Sequence, residues 1–296
     1  MNKELAIILA FVMTLITASS NIYLKKGFSK IKPFVGVYVS ILISSFFLWI
    51  LTFLFVPREN FYNYKGIVVF IIIGSFAPTI VRTLTYYGID KLGAGRAAPV
   101  RAMTPFFAVL MAIFLLKESP SPFIFIGILF IACGIVLISR DQDITFKYKR
   151  IHYLYPLGAA ILAGLAANLR KFGLDTMPHP VFASAVAATS SFFFLTFYVF
   201  FKYDRYRKNI QEMFGYKKEF LFIIIAAFLT TFGEIIDLSA LLFGKVSLVI
   251  PIFGITPFMI ILLSNIFLKK HEKITKRIVF SALFIVLGIY ITIAST

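Results

Sequence analysis

The sequence predicts an all-α integral membrane protein of ten transmembrane helices, arranged as two inverted five-helix repeats. Three observations lead there. Of 296 residues, 60% are hydrophobic and 17% aromatic, and the mean hydropathy is +0.91; soluble domains average roughly 45–50% apolar residues. Apolar runs of about 20 residues, the length that crosses a hydrocarbon core of roughly 30 Å, recur from end to end with short polar breaks. The stretch Pro99-Val-Arg-Ala-Met-Thr-Pro-Phe106 also returns 152 residues later as Pro251-Ile-Phe-Gly-Ile-Thr-Pro-Phe258, so both copies read Pro-x4-Thr-Pro-Phe.

Taken in order, the expected spans are 5–24, 34–55, 66–88, 94–116, 122–139, 153–172, 180–201, 219–243, 246–268 and 276–294. Span one closes on Thr17-Ala-Ser-Ser20, which resembles a signal-peptide cleavage site. Its Asn21-x3-Lys25-Lys26 is matched by Asn168-x-Arg170-Lys171 of span six, so span one is expected to be retained. Span three carries Arg82, span four Arg101, and span eight both Glu234 and Asp237. Spans four and nine hold the repeated prolines. Spans five and ten hold Gly127, Gly134 and Gly288, small residues that permit close helix packing, including packing between protomers of a homodimer. The longest polar breaks, Lys202 to Lys218 and Arg140 to His152, are too short for a folded domain, so function must reside in the bundle.

A shift of 152 residues superposes Thr104-Pro105-Phe106 on Thr256-Pro257-Phe258 and Leu116-Lys117 on Leu268-Lys269. Residues 1–140 and 141–296 thus form two repeats of five spans. Five is odd, so the second repeat enters the membrane from the opposite side. The prolines then gain a meaning. Each leaves a carbonyl without its amide partner, which lipid cannot supply, and such breaks persist where they line a cavity or pack on protein. Broken helices at equivalent places in inverted halves point to a midplane site, including Thr104, Pro105, Thr256 and Pro257.

The net charge of +17 does not signal nucleic acid, because the basic residues cluster where they flank membrane helices. Cys133 is the sole cysteine, which excludes an intrachain disulfide and a thiolate metal site. His152, His179 and His271 are too dispersed for a metal, and no phosphate-binding glycine loop occurs. No cofactor and no metal are expected.

Spans four and five, with Pro99, Thr104-Pro105-Phe106, Leu115-Leu116-Lys117-Glu118 and Gly127 to Gly134, resemble the EamA module of the drug/metabolite transporter superfamily. The second half resembles the same module through Pro251, Pro257-Phe258, Glu272 and Gly288, and departs from it at Lys269-Lys270-His271. The resemblance implies two five-helix modules, a substrate cavity between them, alternating access and a multi-pass location in the cell membrane. The superfamily's substrates range from amino acids and drugs to sugar phosphates. It also implies cytoplasmic termini. The charge count opposes that: loops after odd-numbered spans (the odd face) hold 21 Lys and Arg against 7 on the other, even face, which places the odd face in the cytoplasm. Both orientations stand at this point.

Intramembrane charges cost a few kcal/mol unless they face protein or water. Arg82 and Arg101 fall in the half of the membrane nearer the odd face, as a pair suited to gripping a carboxylate or phosphate. Tyr86 lies on the Arg82 stripe, Thr104 and Pro105 share the Arg101 face, and Asn21 approaches the same side. Snorkelling or ion pairing is the alternative for each arginine. Arg82 and Glu234 are repeat counterparts, yet their depths differ too much for an ion pair. Toward the even face, Thr230, Glu234 and Asp237 form a stripe that is either a structural ion-pair network or a proton-coupling site. The reading that follows is a secondary transporter of a small anionic or zwitterionic metabolite such as an amino acid, carboxylate or organophosphate. A proton-coupled exporter of cations is the alternative, followed by a membrane enzyme using Glu234 and Asp237 and by a passive channel.

Overall fold

The computed structural model describes residues 2–92, 97, 100–139, 149–201, 211–267 and 276–295. For Lys25, Arg82, Tyr86, Asp90 and Pro257 only the backbone is described. Among the described residues the regular structure is all helical, without strands. Helices are α1 (Lys3–Gly27), α2 (Pro33–Phe55), α3 (Tyr64–Phe76), α4 (Arg82–Leu92), α5 (Thr104–Leu115) and α6 (Phe123–Ser139). There follow α7 (Leu154–Thr176), α8 (Pro180–Phe201), α9 (Lys217–Phe243), α10 (Val246–Phe253), α11 (Thr256–Phe267) and α12 (Lys276–Ala294).

Local chemistry fixes several ends. The Asn2 side chain accepts from the Leu5 amide and caps α1, with Glu4 in the first turn facing the positive end of the helix dipole. Asn63 caps α3 through the Gly66 amide. Pro33 opens α2, where its missing N–H costs nothing. The cap of α10 comes from the other half of the chain: the Glu118 carboxylate accepts from the amides of Val246 at 2.8 Å and Ser247 at 3.1 Å. Lys171 Nζ donates to the Leu241 carbonyl at the end of α9, 2.9 Å away. Two charged side chains therefore hold the turn at Gly244-Lys245 from both sides.

Six helical stretches are long and apolar enough to cross a membrane, and they fall in spans one, two, three, six, seven and eight. Among the described residues, spans four, five, nine and ten hold shorter apolar stretches. In span four the chain turns at Ala102-Met103 before α5 starts, and in span nine at Gly254-Ile255 before α11 starts. Span three runs from Tyr64 to Leu92 with a π-helical turn at Ala77–Val81, where Pro78 lacks the N–H of a regular turn.

Packing follows the same pairing. Helix α3 packs on α8 as α9 packs on α2; α1 packs on α9 as α7 packs on α3 and α4; α5 packs on α7 as α11 packs on α1. Helices α2 and α8, and α6 and α12, meet their own counterparts, and α5 packs on α10, which precedes the counterpart of α5 in span nine. Within α6 and α12 the expected small residues make the contact. A Cβ added to Gly288 would lie 2.6 Å from the Gly127 carbonyl oxygen, and one added to Gly127 would lie 2.7 Å from that of Gly288. The close approach predicted for these glycines is thus made inside the chain. Outward, Phe46, Phe53, Phe114, Phe197 and Phe200 expose 65% or more of their surface, a coat that suits lipid and would aggregate in water.

Candidate functional site

A cavity lies between the two halves, walled by α2 and α3 of the first and by α7, α8 and α9 of the second. Its atom-free space, open mouth included, is about 600 Å³, of which about 40 Å³ admits the centre of a water-sized sphere. The stripe expected on span eight forms one wall, because Thr230, Glu234 and Asp237 recur at helical spacing and face inward. Opposite, α8 contributes Ser184 and Ser191 with Ala187 and Ala188 between them, and α2 contributes Ser40 and Ser44. Small residues here set wall-to-wall space and hydroxyls supply its polarity.

Charge enters through three side chains. Arg170 Nη1 contacts Asp237 Oδ2 at 2.6 Å, with the arginine side chain 30% exposed and the aspartate 6%. The second carboxylate oxygen of Asp237, Oδ1, is buried without a hydrogen-bond partner among the described residues, and so is Ser184 Oγ. Glu234 lines the same space.

Hydroxyls knit the surroundings. Thr231 Oγ1 donates to Ser44 Oγ at 2.7 Å, Ser20 and Thr230 share a 2.9 Å hydrogen bond, and Ser191 Oγ donates to the Gly74 carbonyl at 2.8 Å. Gly74 is required: a Cβ there would collide with the carbonyl of Ala187 where α3 crosses α8.

Of the residues expected at the site, Glu234 and Asp237 meet in the cavity. Arg101 does not reach it. Its Nη1 donates to the Ala159 carbonyl at 2.8 Å and to Thr104 Oγ1 at 3.2 Å, so the guanidinium expected to be uncompensated is partly satisfied by α7. No further partner of it falls among the described residues. Asn21 is exposed on α1 and donates to the Thr17 carbonyl. The side chains of Arg82, Tyr86 and Pro257 lie outside the described part.

The motif threonines play a backbone role in both halves. Thr104 Oγ1 donates to the Arg101 carbonyl at 2.8 Å and Thr256 Oγ1 to the Phe253 carbonyl at 2.6 Å, each three residues back. The backbone repeats with them. Met103 N to Val100 O is matched by Ile255 N to Ile252 O, and Phe107 N to Met103 O by Met259 N to Ile255 O, all at 3.2 Å. The two breaks also touch: a Cβ on Gly254 would lie 3.1 Å from Pro105 Cγ, and Ala102 and Ile255 share one apolar cluster with Ile131, Ile135 and Ile285. Pro105 is buried in that contact.

Sequence reasoning missed Arg170 as the partner of Asp237, as well as the serine walls. A signal existed for the latter, since Ser184, Ala187, Ala188 and Ser191 fall at i, i+3, i+4 and i+7, a small-residue stripe on a helix otherwise rich in phenylalanine. Among the described residues, no group of three or more His, Cys, Asp or Glu side chains could hold a metal ion.

Comparison with known proteins gives three results. The model of the EamA-like transporter family matches residues 4–140 and 150–294. Comparison with curated proteins gives no match. A solved structure, described only as the crystal structure of a protein, is similar in fold with a TM-score of 0.72 at 13% identity, covering 97% of this chain and 95% of that one.

Proposed function

This chain belongs to the EamA-like transporter family, a family of membrane transporters and not of enzymes, and from that premise we propose that it carries a small zwitterionic metabolite across the cell membrane by alternating access. The carrying observation is the mixed-charge cavity between the halves, in which Arg170, Glu234 and Asp237 sit among serine hydroxyls. A zwitterion, an amino acid for example, can offer its cationic end to Asp237 and its carboxylate to the exposed part of Arg170.

Two inverted five-helix repeats, 1–140 and 141–296, supply the moving parts. The paired packing and the two touching proline breaks support this reading: a break that ends one helix and starts another is a place where the halves can tilt while Thr104 and Thr256 keep the loosened carbonyls bonded. Glu234 and Asp237 serve coupling, since a carboxylate that must pass between paired and unpaired states can exchange a proton as the cavity changes sides.

A second reading keeps an anion station in the odd half, with Arg82, Arg101, Tyr86 and Asn21. The half-buried guanidinium of Arg101, with donors left over after its two bonds, favours it. Counterflow in sealed vesicles tests the whole: purified protein exchanging labelled amino acids or carboxylates against unlabelled internal solute supports transport. Failure to move any member of a broad metabolite panel under solute or proton gradients refutes it.

A further inference from the structure

Two buried polar side-chain atoms of cavity-lining residues lack hydrogen-bond partners among the described residues. Asp237 is 4% exposed and its Oδ1 accepts nothing; Ser184 is 2% exposed and its Oγ neither donates nor accepts among the described residues. Both line the cavity. Buried polar atoms in native proteins almost always find partners, because one left without is costly. Two orphans in one cavity, on different helices, mark a place that a ligand completes.

Depth agrees. Ser184 lies four residues inside the start of α8, Asp237 six inside the end of α9 and Arg170 six inside the end of α7. All three ends are on the even face, so at 1.5 Å per residue the groups share a layer roughly 6–9 Å deep. The ion pair between Arg170 and Asp237 ties two of the three together.

The donor set defines the chemistry. An ionised carboxylate oxygen only accepts, and a serine hydroxyl accepts on two lone pairs. The complement is a group with at least two N–H donors, and a positive charge on it suits the carboxylate oxygen that Arg170 leaves unbonded. We propose that Ser184 and Asp237 form the subsite for the protonated primary amine of the transported solute. This inference rests on the transport reading and narrows its substrate class. Arg170, held by Asp237 through Nη1 alone, keeps its remaining donors for a carboxylate on the same solute.

The test uses full-length protein in detergent and triplets of an amino acid, its decarboxylated amine and its deaminated carboxylate, such as leucine, isopentylamine and 4-methylpentanoate, with small and aromatic sets beside them. Equilibrium binding should rank amino acid above amine and find no binding of the carboxylate. Because Asp237→Asn leaves Arg170 unpaired and can fail to fold, Ser184→Ala is the main variant. It removes a hydroxyl that bonds nothing in the protein, so a merely structural role predicts unchanged affinity. The proposal predicts a drop of about tenfold for amine and amino acid, the worth of one hydrogen bond to a charged group, with an unchanged melting temperature. Binding of carboxylates without amines overturns it, as does binding of no triplet, or stabilisation by sodium ion alone, which would make the subsite a metal site. Vesicle counterflow separates the two failures: carboxylate movement without amine movement sinks the subsite and spares transport, whereas movement of nothing sinks transport itself.

Discussion

The two proline breaks and the cavity are both built across the same pair of repeats, and they treat that symmetry in opposite ways. At the breaks the halves agree bond for bond, from the backbone turns to the threonine hydroxyls that hold the freed carbonyls. In the cavity they disagree. The charged lining comes from the second repeat alone, through Arg170, Glu234 and Asp237, while the first contributes serines and apolar residues. On the proposed reading, symmetry serves the mechanics, and recognition lies where symmetry fails. A solute is not symmetric about the membrane plane, so a site that grips it cannot be.

The largest blow to the asymmetric region is Asp237→Asn. It strands a largely buried guanidinium and should destabilise the protein by about 3 kcal/mol, the low end for a broken buried pair because Arg170 keeps part of its surface exposed; thermal unfolding in detergent measures it. Adding Arg170→Gln should restore most of that stability without restoring transport, which would separate the pair's structural role from its functional one. Next in size, Gly74→Ala and Gly127→Ala each force a Cβ into a helix crossing and should cost about 2 kcal/mol. Only Gly74→Ala, on the cavity wall, should also change solute affinity, so binding titrations on both variants sharpen the contrast.

Smaller still are Thr104→Ala and Thr256→Ala. Each loses one hydroxyl-to-carbonyl bond, about 1 kcal/mol, and Thr104→Ala also loses the bond its hydroxyl accepts from Arg101 Nη1; losses in both variants, somewhat larger for Thr104→Ala, would support mechanically equivalent breaks. A loss in one alone would break the comparison. Arg101→Gln should do least. Its guanidinium bonds to α7 and Thr104 rather than the cavity, so amine binding should stay within about twofold of wild type.

Much of this architecture could be read from the sequence because membranes punish exceptions. Apolar length gave the spans, and a proline pair recurring at a fixed interval could only mean two broken helices. Helix α9 disclosed Glu234 and Asp237 for the same reason, since a carboxylate within a span demands an explanation. Arg170 stayed hidden because it lies beside Lys171 near a helix end, where basic residues ordinarily flank the membrane. Helical phase decides between them: Arg170 turns to Asp237, while Lys171 turns to the Leu241 carbonyl and to Asp175. Arg101 has a structural partner that its sequence position does not reveal: the carbonyl of Ala159, 58 residues away, accepts from it. Serines carry almost no signal by themselves, and only the wall they build with the alanines of α8 gives them weight.

Counterflow of a labelled amino acid in sealed vesicles, compared among wild type, the Asp237→Asn/Arg170→Gln pair and Arg101→Gln, tests the central claim most directly. Wild type and Arg101→Gln should exchange the solute at similar rates, while the double variant, folded by its melting curve, should show none. Exchange that survives in the double variant and vanishes in Arg101→Gln would place recognition in the odd half of the membrane and contradict the account.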